Sequence, residues 1–282
     1  MRREGPLLVL VTAAAASYPA LGLAWCAAAL LGTESTAREL WWGGHLGAVA
    51  APVLVAFGAI AVGNAGRVLV RGLWQTLRFH RWAAAQRVHH PGFGAADRVR
   101  VVDVGEPLAV TAGLWRPYVV ISSGLLSQLS TRQVRAVLTH EHAHARRRDP
   151  LRLLLGRVLA AHLWFLPLSV DLRGRAQQNY ELAADRAAAR RHGRVAVAGA
   201  LLQVTAPTAS VPVAGARFAT PELLEARVAQ LESGQPPRPL RISRWRAALT
   251  AAGGLAFVAT VAGAWVLMLL TCPCMTATNT VG

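Results

Sequence analysis

No charged side chain occurs between Glu4 and Glu34. A helix built from residues 6–31 is long enough to cross the roughly 30 Å hydrocarbon layer of a bilayer, and a soluble core rarely uses an apolar run of that length. The run is too long for the apolar core of a removable signal peptide and lacks a small-residue cleavage site, so it reads as a retained anchor. Two more stretches repeat the pattern. Glu39 and Arg67 bracket a second uncharged segment, opened by Trp41 and Trp42 as interfacial anchors and carried by the apolar residues 46–62. After Arg246 no charge returns, and residues 247–270 read as a third span followed by a short polar tail.

The chain is 54% apolar yet carries a net charge of +16, which requires the two kinds of residue to be segregated. Every basic residue is an arginine. Residues 67–246 hold 27 arginines against 11 acidic residues, whereas the loop 33–44 holds Arg38 against Glu34 and Glu39. Because positive loops stay inside, the long middle segment is expected to be cytoplasmic and the chain a multi-pass protein of the inner (plasma) membrane. Attraction to anionic membrane lipid accounts for an arginine excess beside membrane spans, and no direct nucleic-acid partner is expected. Cys26, in the first apolar run, and Cys272 and Cys274, near the end, suggest neither a disulfide framework nor a thiolate metal site.

Within the middle segment, residues 67–88 continue the second span as a helix until His89, His90, Pro91 and Gly92 break it. β-Branched runs at 99–104, 108–111 and 118–122, separated by Gly105, Pro107 and Gly113, predict a small sheet. Helices are predicted over 131–148, 151–166, 172–192 and 221–232, with a less regular one near 195–204. Residues 158–170 are apolar but too short to span a bilayer and are interrupted by Pro167, so they read as a buried or interfacial helix. The Pro- and Ala-rich residues 206–221 read as a surface loop.

The helix over 131–148 contains His140-Glu141-His142-Ala143-His144. Residues four apart share a helix face, so His140 and His144 can offer imidazole nitrogens to one ion while Glu141 lies beside it as a general base. The local signals for a helix agree: Ser130 and Gln133 stand at capping-box spacing, Val134, Ala136, Val137 and Leu138 give apolar cover, and Pro150 follows an arginine triplet as a stop. A hydrolytic zinc site needs three protein ligands. A third histidine six residues on, preceded by glycine, is excluded because Arg147 and Pro150 occupy those positions. The remaining common arrangement is a carboxylate on a later helix, and Asn179-Tyr180-Glu181-Leu182-Ala183-Ala184-Asp185 supplies Glu181, with Asp185 one turn on and able to orient a ligand histidine. His142 points away from that face. His192, Tyr180 or an arginine could donate to an oxyanion, and nothing in the sequence singles one out.

These residues resemble the membrane metallopeptidases of BlaR and MecR type, metallopeptidase family 56, which are gluzincins. The resemblance runs over about 105–230 and is carried by Gly113-Leu114-Trp115-Arg116-Pro117-Tyr118-Val119-Val120-Ile121, then Gly124-Leu125-Leu126, Ser130, residues 137–144 and Arg147 to Pro150. Trp164 to Leu168 and Glu181 to Asp185 continue it in the same order. It implies an intracellular protease domain strung between membrane spans that relays a signal by cutting itself or a BlaI-type transcriptional repressor. The β-lactam receptors of that family carry a penicillin-binding domain after the last span, where this sequence has residues 271–282, and they have four spans rather than three.

The expected fold is therefore a mainly α membrane protein with a small α+β zincin-like metalloprotease domain: residues 1–66 as two transmembrane helices with a short outer loop, 67–245 as a cytoplasmic zinc protease domain, and 246–282 as a third transmembrane helix with an outer tail. The expected cofactor is Zn2+, held by His140, His144 and Glu181, with Glu141 as base and Asp185 behind a ligand. Partners are membrane lipid and a protein or peptide substrate, with the oligomeric state left open. Substrate addition to the strand 118–122 is one way to bind a peptide. Rival readings are an HtpX-like quality-control protease, a signalling scaffold with an inactive site, and a membrane-tethered nucleic-acid binder.

Overall fold

A computed structural model of the chain describes residues 45–93, 98–204 and 220–271, with side chains described over 56–93, 98–204 and 220–263. The first apolar stretch, most of the loop predicted at 206–221 and the C-terminal tail lie outside the described residues. The chain is mostly helical with one small sheet. Contacts divide it into two units: Met1–Ala65, Ala160–Ser169 and Ile242–Gly282 in one, Gly66–Leu159 and Val170–Arg241 in the other.

The second unit holds the sheet. Helix α1, His45–Ala85, ends before residue 88, because Arg87–Val88 turn into a short strand, β1. That differs from the helix expected through 88, and the reason is tertiary: Arg87 and Val88 pair antiparallel with Val102 and Val101 of β2, Val99–Val102. β3, Ala109–Ala112, and β4, Tyr118–Ser122, complete a sheet in the order β1-β2-β4-β3. β4 runs parallel to β2 and antiparallel to β3. Gly113, at φ +88°, makes the turn out of β3 that a side-chain-bearing residue would make at a cost.

All five residues of β4 are buried, and its alternate side chains serve two cores. Tyr118 and Val120 pack with Phe79 and Ala83 of α1, while Val119 and Ile121 pack with Val99, Val101 and Leu138 on the other face. A strand covered on both faces has no reason to alternate with polar residues, which is why this text reads as a continuous apolar run. The last residue, Ser122, is fully buried and its hydroxyl is a junction. It accepts from the backbone N–H groups of Leu108 (2.9 Å) and Leu125 (3.0 Å) and donates to the carbonyl of Glu106 at 2.6 Å. Through Leu125 it caps α2, Ser123–Gln128, a short helix with no periodic signal in the sequence. Ser122→Ala is expected to destabilise the protein by at least about 2 kcal/mol, because it removes an N-cap and leaves buried backbone groups unpaired. Thermal unfolding in detergent measures it.

Helix α3, Thr131–Arg147, starts with the capping box of Ser130 and Gln133 in both directions. Its end differs from expectation. Arg148 caps it in the left-handed region at φ +54°, and Pro150 sits in the first turn of the next helix, α4, Asp149–His162, where its missing N–H costs no hydrogen bond. α5, Leu168–His192, α6, Arg194–Val204, and α7, Pro221–Ser233, follow. Ala136 of α3, Ala188 of α5, Ala196, Val197 and Leu201 of α6 and Leu231 of α7 form one buried cluster.

The first unit contains α8, Arg244–Thr271. Its stretch Arg244–Gly263 is the one helix among the described residues that is long and apolar enough to cross a membrane. The apolar residues around Pro167 are not a helix: α4 ends at His162 and α5 begins at Leu168. Leu163 and Leu166 are nonetheless buried, packing with Ala61, Phe257 and Val261, and Phe57, Phe165 and Phe257 pair their rings at 5.1–5.7 Å.

Candidate metal centre

The residues picked out of the sequence come together. α3 presents His140 and His144 on one face, and α5 brings Glu181 against it. The two Nε2 atoms are 3.0 Å apart, His140 Nε2 is 3.5 Å from Glu181 Oε2, and His144 Nε2 is 3.5 Å from Glu181 Oε1. Each ring is turned by its other nitrogen. His140 Nδ1 lies 2.9 Å from Asp185 Oδ1, and His144 Nδ1 lies 2.8 Å from Asp149 Oδ2. A carboxylate can only accept here, so both Nδ1 atoms carry a proton and both Nε2 atoms face Glu181.

Asp149, the first residue of α4, went unread in the sequence as a site residue. It is 1% exposed, its Oδ2 also accepts from Arg147 Nε at 3.2 Å, and its Oδ1 has no hydrogen bond. Arg147 in turn donates to the carbonyl of Tyr180 at 3.1 Å, which joins the end of α3 to the turn of α5 just before Glu181.

Arg227 of α7 is a second such residue. Its Nε and Nη2 grip the two oxygens of Asp185 at 2.7 and 2.8 Å, and its Nη1 lies 3.3 Å from Glu181 Oε2. Asp185 is 0% exposed and Arg227 15%, so this fork is a largely desolvated, bidentate pair. A buried acidic pair one turn apart demands a cation, and that was the available signal; which of the downstream arginines answers it depends on how α7 folds back.

The electrostatics follow from this packing. Burial works to lower the pKa of His140, but hydrogen bonds to Asp185 and Glu181 outweigh it and carry it up to about 10. Burial works to raise Asp185, and hydrogen bonds from His140 and Arg227 hold it down to about 2. Glu181 is likewise held well below the carboxylate range against burial, by His140, Arg227 and His144. The centre favours one added positive charge, as a proton or as a metal ion.

Glu141 sits beside the group and is held by Thr111 of β3. The Thr111 hydroxyl is 2.7 Å from Glu141 Oε2 and 2.8 Å from the Glu141 carbonyl, and with one proton it donates to one of them at a time. Of the other candidates, His192 Nε2 meets Thr139 Oγ1 at 2.8 Å, on a different face of α3 from His140 and His144, and Tyr180 contributes a backbone carbonyl. His142 lines a cleft on the reverse face of α3.

Residues 102–231 match the sequence model of the family described as BlaR1 peptidase M56. Over that segment the chain is similar to that family. No curated protein and no solved structure matches it. The matched segment holds Thr111, His140, Glu141, His144, Asp149, Glu181, Asp185 and Arg227.

The matched family is one of metallopeptidases, and the donors gathered here suit a metal. Ligands at about 2.0–2.2 Å around a tetrahedral zinc ion lie about 3.3–3.6 Å from one another. Both His–Glu separations, at 3.5 Å, fall in that interval, and the His–His separation, at 3.0 Å, is shorter than it. Two imidazole lone pairs and a carboxylate facing one point repel each other unless a cation lies among them. Behind each ring a carboxylate takes the outer N–H, the usual support of a metal-ligating histidine.

Proposed function

We propose that this chain is an integral-membrane zinc endopeptidase, with His140, His144 and Glu181 as metal ligands and Glu141 as general base. The observation that carries the reading is the convergence of three donors from α3 and α5 with Glu141 next to them and a buried carboxylate behind each histidine. Held by these three donors, zinc would supply Lewis acidity toward water and a substrate carbonyl. The rest is the work of side chains. Thr111 holds Oε2 of Glu141 and so leaves Oε1 to take a proton from water and hand it to the departing amine. Arg227 has its donors turned to Asp185 and Glu181, so it positions a ligand and a ligand's support rather than the substrate.

The strand expected to receive substrate, β4, is paired on both sides and has no free edge. β3 has one, and Thr111 on β3 touches Glu141. We assign peptide binding to that edge, where an extended segment adding to the sheet would pass the base. The arginine excess of residues 67–246 supports a cytoplasmic location for the domain, between the spans of residues 1–66 and 246–282 in the plasma membrane. A protease so placed suits a regulatory role, cutting itself or a cytoplasmic transcriptional repressor of the BlaI type.

The test is metal removal. Treating the purified full-length protein with 1,10-phenanthroline is expected to abolish cleavage of an unfolded protein such as casein, and one equivalent of Zn2+ to restore it. Cleavage that survives in protein shown by elemental analysis to be metal-free would exclude the assignment. The regulatory part is tested in the native host, by searching for proteins cut by the wild type and left intact by the Glu141→Gln variant.

A further inference from the structure

The reverse face of α3 borders a cleft of about 280 Å³ lined by Arg98, Pro117, Tyr118, Val119, Thr139, His142, Ala145, Arg146 and Arg191. It shares no residue with the group at His140, His144 and Glu181. Three elements and the turn before β2 build it: Arg98 from that turn, Pro117 to Val119 from the start of β4, Thr139 to Arg146 from α3, and Arg191 from the end of α5. Among the described residues, no acidic one lines it.

Several arginines of this unit are held in place and others are not. Arg132, Arg147, Arg186, Arg194 and Arg227 are each tied to a carbonyl, a carboxylate or an amide by hydrogen bonds. The side chains of Arg98, Arg146 and Arg191 have no hydrogen-bond or ion-pair partner among the described residues, and all three stand exposed around one concavity. Like charges gathered without a counter-charge repel one another. Arg98 also holds a left-handed backbone, φ +52°, while its carbonyl accepts from the N–H of Val119. Glycine or asparagine would make that turn more easily.

We propose that this cleft is a binding site for a phosphate ester. A phosphate group carries close to two negative charges and several acceptor oxygens, which matches three arginines around one cleft better than a carboxylate does. Thr139 and His142 lie on the same wall. A volume of about 280 Å³ is several times the ~30 Å³ that one water takes in the liquid, so it exceeds a bare phosphate of five heavy atoms. Pro117, Tyr118, Val119 and Ala145 give the remainder an apolar lining suited to the organic part of an ester. The same chemistry is offered by a soluble phosphomonoester and by the headgroup of an anionic phospholipid.

The test uses the full-length protein and the triple variant Arg98→Gln, Arg146→Gln, Arg191→Gln, with Arg238→Gln as a control for non-specific attraction to a basic protein. In neutral detergent, calorimetric titration with glycerol 3-phosphate is expected to show binding that the triple variant weakens at least tenfold and the control leaves unchanged. In nanodiscs of phosphatidylcholine with or without phosphatidylglycerol, the anionic lipid is expected to raise the unfolding midpoint of the wild type and the control but not of the triple variant. A difference confined to the first arm identifies a soluble ester as the ligand, and one confined to the second identifies a headgroup. If the triple variant matches the control in both arms, the site does not exist. Should the triple variant fail to fold, Arg146→Gln and Arg191→Gln singly carry the same test, since both side chains are exposed.

Discussion

Glu141→Gln lowers the rate of peptide cleavage by about 10²–10⁴-fold, the usual contribution of a positioned acid–base group, while bound zinc stays at the wild-type level. The amide keeps the size of the side chain and can still meet Thr111, so the contact between β3 and α3 survives. What is lost is the ability to take a proton. The proposed metal ligands lie on other residues, three carrying donors that face one another at 3.0–3.5 Å, and none of these is altered. The two readouts therefore separate. Elemental analysis and a cleavage assay on the same sample give the answer, and a variant that lost its metal or kept full activity would remove Glu141 from the role of base.

The second large effect is on stability. Asp185→Ala is expected to cost about 3–5 kcal/mol, because it strands a guanidinium that is only 15% exposed and removes the support of His140 Nδ1. Zinc affinity should fall by about 10- to 100-fold in the same variant, the usual price of losing the partner of a ligand histidine. The pair also predicts its own partial rescue: adding Arg227→Met removes the uncompensated charge, so the double variant should unfold at a higher temperature than Asp185→Ala alone. Its zinc affinity should stay low, since His140 is still unsupported. Equal melting of the single and double variants would show that the Asp185–Arg227 fork does not bear on folding as described.

What was legible in the sequence was local. The capping box at Ser130, the spacing of His140 and His144 and the three β-branched runs are properties of a few neighbouring residues, and they appear in the structure with boundaries shifted by a few positions. The grouping of Glu181 with the histidines needed one more premise, that a metal of this kind wants a carboxylate from a later helix. What was not legible depends on how distant elements meet. Nothing near Arg87 says that it pairs with Val102, and nothing within 118–122 says that β4 is an inner strand, since an edge strand covered on both faces would read alike. Asp149 was hidden by a reversal of the chain. Pro150 looks like a terminator, but Arg148 turns the backbone first and lets a new helix begin with the carboxylate pointing back at His144. Arg227 stands 42 residues after Asp185 and comes back to it only when α7 folds over α5.

The single hydroxyl that joins β3 to Glu141 has a mechanical side. Thr111 can give its proton to the side chain or to the backbone of that residue, and it rides on the strand whose outer margin is unpaired. A guest chain drawn along that margin would tug on the latch, so that docking and readiness to react become one movement. An empty groove would then idle with its base loosely aimed, and only a properly threaded polypeptide would bring it to bear.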